Sequence, residues 1–187
     1  TPPIRSSNTL RHIGGSICIW ANPARAITPP LGGFLQMKRH SPPSYRIKTM
    51  FTSDAAIIRI GEGLRDHTLP KAEWTHAAHI AAAVWVIDHY GDNAEDRMPS
   101  LIRTYNLATG VQNTDTDGYL HTITLASLRA VRAAVSPMDA SLSERTNAVL
   151  AAGYDRPDWL LNHYTKARLF SVEARRHWVD PDVTPLP

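Results

Sequence analysis

The run Ile80-Ala81-Ala82-Ala83-Val84-Trp85-Val86-Ile87 constrains this chain more than any other segment, because as a helix it is apolar on every face. It is too short to cross a bilayer before it meets Asp88, so it must be covered on all sides by other parts of the protein. Just ahead of it stands Trp74-Thr75-His76-Ala77-Ala78-His79, which sets two imidazoles three residues apart at the mouth of the apolar run. Polar rings in that position either bind something or hydrogen-bond inside a core.

The rest of the sequence supplies the cover. From Met50 onward the punctuation is that of short helices. Asp54 is placed to cap a first helix through Leu64, ending before Pro70. The central helix is expected over about 73–90, stopped by Gly91 in a left-handed cap. Asn93 with Asp96 opens a third helix that Gly110 ends, and Pro99 inside it predicts either a late start or a kink. A fourth helix over about 119–135 carries Ile123, Leu125, Leu128, Val131 and Val135 at helical spacing, with Arg129 and Arg132 turned to water. Ser141 and Glu144 form a capping-box signature for a fifth helix that Gly153 closes. Pro157 suits the first turn of a sixth, and a short terminal helix follows Ser171. No run of alternating β-branched residues competes. The fold class is therefore all-α: a helical bundle of about four main helices with shorter C-terminal helices.

Charge divides the chain at the same point. Residues 1–49 hold seven Lys and Arg and no acid, a net of +7, while residues 50–187 hold 13 basic and 17 acidic residues, a net of −4. The first part also holds seven of the 14 prolines and shows no apolar period, so a disordered basic Pro-rich arm is expected there. Its acid-free, Arg-containing composition also fits a transit peptide, but the prolines interrupt the amphipathic helix such a peptide needs. The favoured reading is upstream, non-native sequence with the natural start at Met50. The mildly acidic body lacks the clustered cations that phosphate binding requires, so no nucleic acid is expected for it. Cys18, in the arm, is the sole cysteine, which rules out thiol chemistry in the body. With no apolar run long enough for a membrane span, the expected setting is cytoplasmic.

Histidines three apart on a helix share one face, with Cβ atoms about 5–6 Å apart, close enough to hold one metal ion. The candidate third ligand is His121 at the start of the fourth helix, with Glu73 in reserve. Zinc or iron in such a site, with coordination left open, would activate water or support oxygen chemistry. The plainer alternative is that first-turn imidazoles satisfy helix-end groups. Glu73-Trp74-Thr75-His76 is a single Glu-x-x-His, whereas a di-iron bundle needs two copies and two further carboxylates. Zinc-protease, serine-hydrolase and phosphate-loop motifs do not occur. A second group flanks one loop: Tyr105 and Asn106 before it, Tyr119, His121 and Thr122 after it. These can orient a small polar ligand, with His121 as a general base, or can simply brace the Asp-rich loop. Asp115 and Asp117 lack the glycine and glutamate offsets of a calcium loop. Trp74, Trp85, Trp159 and Trp178 are expected to serve packing.

The combination Trp74-Thr75-His76-x-x-His79, Tyr105-Asn106, Gly118-Tyr119, Leu169-Phe170-Ser171 and Ala174-Arg175-Arg176 resembles an uncharacterised family of small bacterial helical proteins, over about residues 51–187. The resemblance implies that the body is one bacterial unit and implies nothing about substrate. The family pattern has a histidine directly after Gly-Tyr, where this chain has Leu120 and then His121. The leading expectation is a metal-dependent enzyme with a divalent ion on His76, His79 and His121. The alternatives are a metal-free protein that binds a small molecule through Glu73, His76, His79, Tyr105, Asn106, Tyr119 and Thr122, and a structural or assembly protein.

Overall fold

The computed structural model describes residues 50–187, and the arm expected at 1–49 lies outside the described residues. The apolar run forms α2 (His76–Tyr90), within which Ala81, Ala82, Val84 and Val86 are fully buried. Four helices close around it: α1 (Asp54–Arg65), α3 (Ala94–Ala108), α4 (His121–Val135) and α5 (Leu142–Val149). This is the expected all-α bundle, and no strand occurs among the described residues. No helix among them is long and apolar enough to cross a membrane.

Close packing on α2 depends on small side chains at the crossings. Gly61 of α1 lies directly under the Trp85 indole, and a Cβ there would overlap the ring. α2 begins at His76, not at about residue 73, because Thr75 is extended and its Oγ1 accepts a hydrogen bond from the Ala78 amide at 3.3 Å. Lys71–Glu73 forms a separate 3-10 turn, so exposed Glu73 stands outside the helix and ion-pairs with Arg59. Gly91, at φ 55°, ends α2 as expected, and its amide returns to Ile87 O.

Other expected caps differ in detail. Asp54 falls inside α1 after Ser53, and its carboxylate accepts from Ser143 N and Oγ, both at 2.8 Å, tying α1 to the start of α5. Asn93 makes no side-chain cap, because Gly91–Asn93 is already a 3-10 turn feeding α3. Pro99 is carried inside α3, past its first turn. The Ser141–Glu144 capping box forms as the sequence suggests. Arg129 and Arg132 do not simply face water. Arg129 binds Glu95 of α3 at 2.8 and 3.0 Å and lies 4.2 Å from the Trp178 ring centre, while Arg132 donates to Gly91 O at 2.8 Å.

After α5 the chain passes through a π-turn (Leu150–Tyr154) that Gly153 closes at φ 102°. Where Pro157 suggested a helix there is only a 3-10 turn, Trp159–Asn162. Two short helices follow, α6 (Lys166–Leu169), which the sequence reading missed, and α7 (Val172–Arg176), capped by Thr165 and Ser171. These C-terminal pieces build a second apolar cluster of Trp159, Leu160, Tyr164, Leu169, Ala174 and Val179 against Ile123, Ala126 and Ala130. Leu128, Val131 and Val135 instead face the main core around α2. α4 is thus a wall shared by two cores.

Substituting Gly61→Ala is expected to lower stability by about 1–3 kcal/mol through overpacking. Thermal unfolding followed by circular dichroism should show a fall of several degrees in Tm, and an unchanged Tm would contradict the close α1–α2 contact.

Candidate functional site

A cavity of about 160 Å³ opens where the two cores meet. One wall is α2, through His79, Ile80 and Ala83; Met98 and Ile102 of α3 form the next. Leu120, Ile123, Thr124, Ser127 and Leu128 present one face of α4, and Phe170 and Arg175 come from the C-terminal layer. Thr116–Tyr119 complete the lining. The lining is mostly apolar, with few polar groups.

The loop before α4 is held rigidly. Asn113 Oδ1 accepts from Asn106 Nδ2 at 2.8 Å and from Tyr119 N at 3.1 Å, and Asn113 Nδ2 donates to Arg103 O. Thr114 Oγ1 accepts from Asp117 N, and Asp117 Oδ1 accepts from Gly118 N. Gly118 has φ 74°, and a Cβ there would overlap Gln112 O, so the turn requires glycine. α7 clamps the loop from outside: Arg176 pairs with Asp115, and Arg175 Nη1 donates to Tyr119 O at 3.1 Å.

The expected site residues divide sharply. His79 and Tyr119 line the cavity. Tyr105 is fully buried and its hydroxyl donates to Leu69 O at 2.9 Å, while Asn106 braces the loop. Thr122, also fully buried, donates to His177 O at 2.8 Å and accepts from Val179 N at 3.1 Å, pinning the C-terminal segment. Glu73 is engaged with Arg59 at the surface. Of these four only Asn106 bonds to the Asp-rich loop, while Tyr105 and Thr122 hold more distant parts of the fold.

The histidines are likewise set in separate hydrogen bonds. A ring nitrogen facing a carbonyl must donate, which fixes each tautomer. His76 Nε2–H donates to Tyr154 O at 2.7 Å, leaving Nδ1 as its basic nitrogen. His79 Nδ1–H donates to Thr75 O at 2.7 Å, making Nε2 the basic one, and its ring packs 3.9 Å from the Trp74 ring centre. His121 Nδ1 meets the Tyr119 hydroxyl at 2.9 Å. Burial, partly opposed by Arg103, pushes Tyr119 up to about 12, so at neutral pH the phenol keeps its proton. Among the described residues, no three His, Cys, Asp or Glu side chains come together as a metal-holding group, so His121 does not complete a triad with His76 and His79.

Burial is also the main reason all three imidazoles are harder to protonate than usual. For His121 the neighbouring Arg103, His177 and Arg129 add to it. His79 is pushed down to about 4, the Thr75 carbonyl opposing the shift only in part. At neutral pH it is an uncharged ring beside an apolar cavity.

Two further lining groups were not picked out as site residues from the sequence. Ser127 is 8% exposed and its Oγ has no hydrogen-bond partner. Arg175 is partly buried, its Nε is buried without a hydrogen-bond partner, and among the described residues it forms no ion pair, although Asp115 lies near enough to feel its charge. A signal for Ser127 did exist: it follows Ile123 by four residues, a hydroxyl on the buried face of α4. Neither a protein-family model, nor a curated protein, nor a solved structure matches the chain, and the geometry alone carries its functional reading.

The His79 shift makes stability depend on pH. Its pKa in the fold is about 4, against about 6.5 unfolded, so the unfolded chain binds more protons between these values. Stability is therefore full above pH 6.5 and falls as pH drops toward 4. With the ring's partial exposure discounted, the loss is about 1–2 kcal/mol. Urea titrations at pH 7.5 and 4.5 should show it, and His79→Gln should reduce the difference; an unreduced difference would place the effect elsewhere.

Proposed function

We propose that the body is a metal-free small-molecule-binding protein, working in a reducing, cytoplasmic setting, whose ligand is compact and largely apolar. The observation that carries this reading is the cavity of about 160 Å³ at the seam between the two cores, walled by Ile80, Ala83, Met98, Ile102, Ile123 and Leu128. Concave, mainly apolar sites with a few placed polar groups are the usual form of ligand pockets. A cavity of this order accepts a benzene-sized body, and its open mouth extends the limit to about ten non-hydrogen atoms. The ligand is thus less polar than the flanking Tyr, Asn and Thr residues suggested, since those residues are occupied within the fold.

The metal-enzyme reading has two neutral imidazoles three residues apart in its favour. It lacks a third donor beside them among the described residues. Elemental analysis of untagged protein is the cross-check, because near-stoichiometric zinc or iron that is lost in His76→Ala would replace the present reading.

The direct test pairs calorimetric titration of the full chain with 4-ethylphenol and the variant Ser127→Leu. The wild type is expected to bind with Kd of about 0.1–1 mM, the range for a ligand of this size. Ser127→Leu fills the cavity and removes an unpartnered hydroxyl, so it should abolish binding while raising the Tm of the ligand-free protein. Retained binding in a correctly folded variant would place the ligand elsewhere.

A further inference from the structure

Exposure along the cavity wall differs from side to side. Its depth is closed by α2, α3 and α4, where Ile80, Ala83, Met98, Ile123 and Leu128 are buried. The lining becomes partly or fully exposed at Thr116 and Asp117 of the loop before α4, and at Phe170 and Arg175 of the C-terminal layer. The helix positions His79, Leu120 and Thr124 are partly exposed as well. The loop and the layer thus both reach from the cavity to solvent, and they are tied directly to each other.

The ties come from one helix. α7 sends Arg176 Nε and Nη2 to the two carboxylate oxygens of Asp115, at 2.8 and 2.5 Å, and Arg175 Nη1 to Tyr119 O at 3.1 Å. Hydrogen bonds from Arg176 first, and then the charges of Arg176 and Arg175, hold the Asp115 carboxyl below its usual value against a weaker opposing effect of burial. Both arginines therefore act on the same carboxylate.

The two sides differ in how firmly they are held. The loop is braced from within by Asn113 and Thr114. α7 has five residues, too few for a helix to persist alone, and Ala174 is its one buried side chain. Firm points flank it: Leu169, 1% exposed, before it, and Val179, whose amide donates to Thr122 Oγ1, after it. α7 is a short span between two fixed ends. Its outer tie, Arg176 to Asp115, is an exposed ion pair, weak and screened by salt. The middle of the span is the first part to open.

We infer that α7 is the gate of the cavity, swinging away from the loop to admit a small molecule, and that Asp115 is the latch on which its two arginines close. This rests on the ligand-binding reading above and adds how the site is entered. Opening costs the same in the empty and the filled protein, so loosening the latch speeds entry and exit alike and leaves affinity unchanged.

Two measurements on the full chain at pH 7.5 test it. Amide hydrogen exchange on the wild type needs no variant to fold. The Arg175 and His177 amides, bonded to Ser171 O and Glu173 O, are expected to exchange about a hundredfold faster than the α4 interior and to slow when 4-ethylphenol is added. Exchange as slow as that of α4 would overturn the gate. An NMR line-shape titration with 4-ethylphenol then reads rates and Kd together. Asp115→Asn is expected to raise association and dissociation rates about three- to fivefold with Kd within about twofold of wild type. Arg176→Gln should raise them less, because Arg175 still acts on Asp115. Salt at about 0.5 M should speed wild type but not Asp115→Asn. Unchanged rates in Asp115→Asn would overturn the gate while the pocket stands, since binding is still seen. If 4-ethylphenol does not bind wild type, the pocket reading falls and the gate falls with it.

Discussion

Burial of α2 on all sides is the constraint from which the rest of the structure follows. A helix carrying Ile80, Ala81, Ala82, Val84 and Val86 in contact with protein all around needs at least four neighbours, and it has them in α1, α3, α4 and α5. The alanines and Gly61 let those neighbours approach closely enough that Trp85 fits between α1 and α2. The same burial fixes the chemistry of the two histidines at the N-terminal end. They enter the core as neutral rings because charging them there would mean desolvating an imidazolium.

α4 then has two duties. Its Leu128–Val131–Val135 side closes the bundle, and its Ile123–Ala126–Ala130 side carries the C-terminal layer. That layer contains no helix longer than five residues, so its elements have little stability of their own. It is held by side chains reaching across: Thr122 to His177 O and Val179 N, Tyr164 to Val179 O, Arg129 against Trp178, Arg176 on Asp115. The exposed ion pair contributes little by itself, and the buried Thr122 bonds, whose loss would strand polar groups in the core, matter most.

How much of this is legible in the sequence depends on whether the signal is local. The four long helices follow from apolar spacing, and the Ser141–Glu144 box and the glycine stops at Gly91 and Gly153 from cap chemistry, because each is decided within a few residues. Asn93 failed as a cap because the preceding 3-10 turn had already satisfied that end. The site was half legible. His79 and Tyr119 stand out as polar residues beside apolar runs, and both line the cavity. Tyr105, Asn106 and Thr122 stand out in the same way, yet their partners lie 36, 7 and 55 residues away, and only the fold reveals that these are internal bonds. Arg175 is invisible as a site residue from its spacing, since its place in the wall depends on where the C-terminal layer docks.

The cavity carries a cost in stability. An empty apolar space of about 160 Å³ in a closed core would cost on the order of 4 kcal/mol, less where it opens to water. A larger residue at Ala83 or Ser127 fills such a space at little expense, and a substitution of that kind is among the easiest routes to added stability. Retaining the space together with a buried hydroxyl and a buried guanidinium N–H that lack partners compounds the cost, because each is a separate desolvation penalty. Buried side-chain atoms without a partner occur away from the cavity as well, at Arg145 Nε and Trp159 Nε1, so such atoms do not single out the seam. The open, mainly apolar space itself is what the ligand-binding proposal rests on, and that proposal needs none of the unpartnered atoms.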